Sequence, residues 1–168
     1  SSEHGKVVAD SKGDLIRGLE VIEFACGVPH LLKGEYTESA GTGIDVYSMR
    51  QPLGVVAGIS PFNFPAMIPM WFMGMALATG NAMILKPSEK DPSVPVLLAE
   101  LMVDAGLPEF VLQVVHGDKT AVDALLHNDD IKAVSFVGSS NLPHHIAPTC
   151  AHPGKRFTAQ RTHHHPSG

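Results

Sequence analysis

The rhythm of apolar and polar residues changes twice along this chain. In "GDLIRGLEVIEFACGVPHLLKG", Gly13 to Gly34, the apolar residues recur at helical spacing, and Leu15, Leu19, Ile22 and Cys26 share one stripe. This predicts a long amphipathic helix buried along that stripe, with Asp14 near its start and Gly34 past its end. In "GIDVYSMRQPLG" the period becomes alternating, with Ile44, Val46, Ser48 and Arg50 on one side. Pro52 closes it as an edge strand.

From Gly54 onward short apolar runs and longer helical runs take turns. "GVVAGI", "NAMILKPS", "FVLQVVHG" and "IKAVSFVGSS" read as strands, and "PAMIPMWFMGMALATG", "PSVPVLLAELMVDAG" and "DKTAVDALLHN" read as helices, the last opened by Asp118 as N-cap. Strands that are apolar throughout, separated by helices of about three turns, predict a parallel sheet covered on both faces: the doubly wound, Rossmann-like α/β class. Ligands of such sheets gather at the carboxyl ends of the strands, which here read "SPFN", "KPSEK", "HGD" and "GSS". Three regions follow: a helix and bridging strand over 1–53, the alternating segment over 54–140, and a tail over 141–168. The tail holds four prolines and six of the ten histidines and shows neither period, so an irregular, poorly ordered stretch is expected.

Composition removes several function classes. A chain of 168 residues can bury a core without disulfide or metal, and a net charge of −5 with no basic block ahead of the tail disfavours nucleic acid as a partner. Cys26 and Cys150 form neither a CxxC pair nor a disulfide framework. Cys26, on the core stripe, is expected to be a buried structural thiol, and Cys150, in the tail, an incidental one. The most apolar span, Phe62 to Leu85, is broken by Pro65, Pro69, Gly74 and Gly80, so no membrane crossing is expected. Glu3, His4 and Lys6 stand where the apolar part of a signal peptide would begin. A soluble cytoplasmic protein is expected, or one of the mitochondrial matrix if the source is eukaryotic. The run His163-His164-His165 reads as an adventitious metal binder without a fixed scaffold, and no native metal site is expected.

Chemistry concentrates at the strand ends. Asn63 sits between two phenylalanines and two prolines in "PFNFP", where it can either cap the next helix or aim its amide at a reacting oxygen. The GxGxxG turn of an ordinary dinucleotide fold is missing after the first strand. In its place Lys86 ends a buried strand, Pro87 stops that strand, and Glu89 follows one short turn later. The pair suits the hydroxyls of a ribose, or is a solvated ion pair. Gly138 allows close backbone approach in "FVGSS", and Ser139 offers a hydroxyl to a pyrophosphate.

Together and in order, "GISPFNFP", "LKPSEK" and "SFVGSS" resemble the NAD-dependent aldehyde dehydrogenase superfamily, over roughly residues 3 to 140. The words "GKVVADSKGDLIRGLEVIEFACGVPHLLKGE" and "VVHGDKTAVDALLHNDDIKAVSFVGS" are similar to its CoA-acylating methylmalonate (malonate) semialdehyde branch. The resemblance implies NAD as cofactor, a semialdehyde and coenzyme A as substrates, and a homo-oligomer. It further implies Asn63 as oxyanion donor, Ser60 and Phe62 along the nicotinamide mononucleotide half, Lys86, Glu89 and Lys90 at the adenosine ribose, and Ser139 at the pyrophosphate. The family's nucleophilic cysteine follows the cofactor motifs in a separate segment, and neither Cys26 nor Cys150 matches its surroundings. An incomplete cofactor domain, inactive alone, is therefore expected, with a non-catalytic NAD-binding or subunit-pairing fragment as the alternative.

Overall fold

A computed structural model describes residues 1–138, 149–150 and 154–161. Helix α1 (Val8–Cys26) leads through the short α2 (Val28–Leu31) to an antiparallel hairpin, β1 (Tyr36–Gly41) and β2 (Ile44–Tyr47). Then come β3 (Val55–Ile59), α3 (Met67–Ala78), β4 (Ala82–Lys86), α4 (Ser93–Asp104), β5 (Leu112–Val114), α5 (Lys119–His127), β6 (Ile131–Gly138) and β7 (Arg156–Arg161). The last five strands form one sheet in the order β5-β4-β3-β6-β7, and every pair is parallel. This is the doubly wound fold the strand and helix alternation predicts.

The two faces of the sheet follow the two-residue period of its strands. Ala57 and Ile59 of β3, with Val134 and Phe136 of β6, pack on Val122, Leu125 and Leu126 of α5. Met83 and Leu85 of β4 face the other way, against Met70 and Met73 of α3 and Val94 and Leu98 of α4. Gly58 shares that second face. A Cβ there would fall 2.5 Å from Met83 Cε and 2.7 Å from Phe72 Cδ2, so α3 reaches the sheet only because position 58 has no side chain.

Several expectations are corrected. The stripe Leu15-Leu19-Ile22-Cys26 is not the buried face of α1: Leu15 and Leu19 are 41% and 57% exposed, and Cys26 is exposed. The buried residues are Asp14, Gly18 and Ala25, because α1 meets α3 at close range. A Cβ on Gly18 would stand 2.6 Å from Met70 Sδ, and one on Gly74 would stand 3.0 Å from Ile22 Cδ1. Small residues make that seat, and a reading that rewards bulk passes over them. The helix also begins earlier than expected, at Val8, which puts Asp14 within it, and it breaks at Gly27, before Pro29.

The strand at Ile44 has a partner that the sequence reading missed. Residues 36–41, "YTESAG", lack alternation yet form β1, with Tyr36 opposite Tyr47 and Thr37 opposite Val46. The tail expected to be irregular from Asn141 contains β7, in register from Ala133↔Arg156 to Gly138↔Arg161. As an edge strand beside the well-buried β6, it needs backbone pairing more than apolar side chains. Lys155, just ahead of it, is buried and donates to the carbonyl oxygens of Leu126, at 2.7 Å, and Asn128. A cation there satisfies the free carbonyls at the end of α5.

The two thiols exchange their expected places. Cys150 is fully buried in the core cluster with Val134 and Leu126, while Cys26 faces outward. Burial raises the Cys150 thiol above its ordinary range, partly offset by the charge of Lys155. Ser139 and the run His163-His164-His165 lie outside the described residues.

Candidate cofactor crevice

The winding of the sheet reverses between β3 and β6. The chain leaves β3 toward β4 and β5, then crosses back to lay β6 on the other side of β3. Diverging connections leave a crevice at the carboxyl ends of these two strands. A cavity of about 430 Å³ lies there, and its walls include Ser60, Phe62, Asn63, Lys86, Glu89, Lys90 and Gly138. Seven residues singled out from three separate sequence words therefore border one trough.

Each wall has a local cause. The Ser60 N–H donates to the Lys86 carbonyl at 3.1 Å, tying the end of β3 to the end of β4. Ser60 is buried, and its Oγ has no hydrogen-bond partner. Asn63 Oδ1 is also buried and unpartnered. The N-cap position of α3 is Ala66, with no side-chain cap, so the capping alternative for Asn63 is not what the structure shows. An unmet buried acceptor costs roughly 1–3 kcal/mol, which makes both oxygens candidates for ligand contact.

Across the trough, Lys86 is 3% exposed while its ammonium lies 3.3 Å from Oε2 of the exposed Glu89. The Glu89 carboxyl is held below its usual range by a hydrogen bond from its own backbone, helped by the charges of Lys86 and Lys90 against some desolvation. Lys90 places its ammonium 4.8 Å from the centre of the Phe62 ring, bridging the β3 and β4 loops by a cation–π contact. A donor and an acceptor side by side on one wall match vicinal hydroxyls. On the floor, a Cβ at Gly138 would fall 2.4 Å from Phe136 Cζ, so that position is closed to larger residues unless the ring moves.

Asp118 also borders the trough, though it was read only as a helix cap. It does cap α5, accepting from the Thr120 N–H at 2.9 Å, and that bond first of all lowers its carboxyl below the ordinary range. Its position after β5, in the word "HGD", was the available signal.

The family model for the aldehyde dehydrogenase family matches residues 1–162. The chain belongs to the aldehyde dehydrogenase family. Among aldehyde dehydrogenases it is 55% identical over 159 residues to malonate-semialdehyde dehydrogenase of Pseudomonas aeruginosa, covering 95% of this chain and 32% of that protein. It is 54% identical over 157 residues to the mitochondrial acylating methylmalonate-semialdehyde dehydrogenase of Arabidopsis thaliana, covering 94% of this chain and 26% of that one. The methylmalonate-semialdehyde dehydrogenase structure from Oceanimonas doudoroffii superposes with a TM-score of 0.93 at 54% identity, over 96% of this chain and 33% of that chain. A Sinorhizobium meliloti chain described as a methylmalonate-semialdehyde dehydrogenase, complexed with NAD, gives 0.91 at 62% identity, over 94% and 32%. The chain thus spans about a quarter to a third of the length of these relatives. Among the described residues no helix is long and apolar enough to cross a membrane.

Proposed function

We propose that this chain is the cofactor-binding segment of a CoA-acylating methylmalonate- or malonate-semialdehyde dehydrogenase, an oxidoreductase that passes hydride from an aldehyde to NAD. The observation that carries this reading is the single trough in which Ser60, Asn63, Lys86 and Glu89 converge at the reversal point of the sheet. The site fits the cofactor. Two buried oxygens lack partners, and an ammonium and a carboxylate stand 3.3 Å apart.

In this reading Lys86 and Glu89 hold the hydroxyls of the adenosine ribose, and Lys90 supports that wall from above Phe62. Ser60 and Phe62 border the nicotinamide mononucleotide half, and Gly138 leaves room for close approach by the phosphates. Ser139 takes the pyrophosphate. NAD, when bound, supplies the hydride acceptor. Asn63 turns its amide N–H toward the oxygen that gains charge as a thiolate adds to the aldehyde. A preorganised donor of this kind contributes roughly 3–4 kcal/mol to such a transition state.

The thiolate comes from a part of the enzyme outside this sequence. Cys150 is fully buried with its thiol raised by desolvation, and Cys26 ends α1 in the open. Semialdehyde and coenzyme A would meet the cofactor only in that larger enzyme, in the cytoplasm or, in a eukaryote, the mitochondrial matrix. Titration calorimetry with NAD tests the reading: binding weakened by Lys86→Ala supports it, and undetectable binding by the wild-type chain rejects it. No NADH is expected from this chain with methylmalonate semialdehyde and coenzyme A. Turnover that Cys26→Ala or Cys150→Ala abolishes would overturn the assignment of the nucleophile.

A second reading, a subunit-pairing piece, is favoured by the hairpin. Tyr36, Ile44, Val46 and Tyr47 are all more than half exposed on β1 and β2. Homo-oligomerisation through it would appear in sedimentation as a species that Val46→Lys dissociates.

A further inference from the structure

Helix α4 opens without a side chain of its own at the N-cap, which is Pro92. The Ser93 N–H is instead taken by Glu3 Oε2, at 3.2 Å and from ninety positions away. Asp91, two residues before Ser93, could accept that N–H in an Asx turn but does not. It is 1% exposed, and neither of its oxygens has a partner.

The segment that carries Glu3 is pinned by Lys6. Its ammonium stands 3.6 Å from Asp14 on α1 and 4.1 Å from the centre of the Phe64 ring. We propose that residues 1–7 form a proton-gated strap, in which Glu3 caps α4 while Asp91 is protonated, and loss of the Asp91 proton leaves an unpaired buried charge that frees the strap and opens both Asp91 and the Ser93 N–H to water. This inference stands apart from the dehydrogenase reading, because it uses none of the trough residues as ligands.

The charges around Asp91 favour its closed, neutral form. From the strap it meets Glu3 and Lys6, with His4 and Asp14 beyond Lys6, and from its own loop Glu89 and Lys90. Burial first, then the negative charge of Glu3, hold the Asp91 carboxyl up at about 7, against partial relief from Lys6 and Lys90. An opened, hydrated Asp91 returns to the ordinary carboxylate range. Opening therefore releases a proton between those limits. Its equilibrium climbs up to about tenfold per pH unit from roughly pH 4 to 7, and levels off above.

Amide hydrogen exchange at Ser93 in the whole chain, corrected for intrinsic rate, reads this directly between pH 5 and 8. Protection is expected to fall steadily to about pH 7 and then flatten. With Asp91→Asn it should stay high and independent of pH, whereas Glu3→Gln should lower it throughout. The Asp91 carboxyl carbon, followed by NMR in the wild-type chain, should titrate near 7, and this holds the test even if the Asn variant fails to fold. Flat protection in the wild type, the same fall in Asp91→Asn, or titration of Asp91 near 4 would each overturn the proposal.

Discussion

The parallel sheet and the α1–hairpin region use their large apolar residues in opposite ways. In the sheet and its helices Met73, Leu85, Leu126 and Ile131 are almost completely buried. In α1 and the hairpin, Leu19, Phe24, Tyr36, Ile44 and Tyr47 are more than half exposed, and the inner contact rests on Gly18, Ala25 and Gly74. One region is held by bulk, the other by closeness. Side-chain size therefore reports burial in the first and misreports it in the second.

That contrast can be broken most sharply with a thiol reagent. In the native chain only Cys26 should react promptly, and Cys150 should follow only in denaturant; prompt reaction of both would mean that the α5 face of the sheet is open. In stability the largest effect is expected from Leu126→Ala, which empties a fully buried site and should cost about 3 kcal/mol in a urea titration. Gly58→Val comes next, since the new side chain meets Met83 and Phe72 at once, and a loss of about 2 kcal/mol is expected. Asp118→Ala removes the α5 cap and should lower stability by less than either of these core changes. Leu19→Ala should change stability by no more than about 0.5 kcal/mol, although Leu19 looks like core in the sequence. A Leu19 effect as large as that of Leu126 would erase the distinction between the regions.

These contrasts also explain what could be read from the chain alone. Strands β3, β4 and β6 were legible because their apolar runs are nearly unbroken, and Lys86 was conspicuous as a charge at the end of such a run. The trough was legible because its residues sit in strand-end words. Strand β7 was hidden because an edge strand can be polar, and "RFTAQR" has the composition of a loop. The buried face of α1 was hidden because Gly18 and Ala25 carry no apolar signal. Cys150 followed prolines and histidines, and that company concealed its place in the core. Glu3 and Asp91, eighty-eight positions apart in the numbering, share one helix start by a long-range contact that no local pattern announces.

The bond from the Ser60 N–H to the Lys86 carbonyl has a bearing on how a guest is received. Because it fastens two adjoining loops through main chain alone, their separation is set during folding and survives replacement of either side chain. An arriving nucleotide then spends little of its affinity on ordering the walls. Exchanging Ser60 or Lys86 should accordingly alter which molecule is held, and leave intact the frame that does the holding.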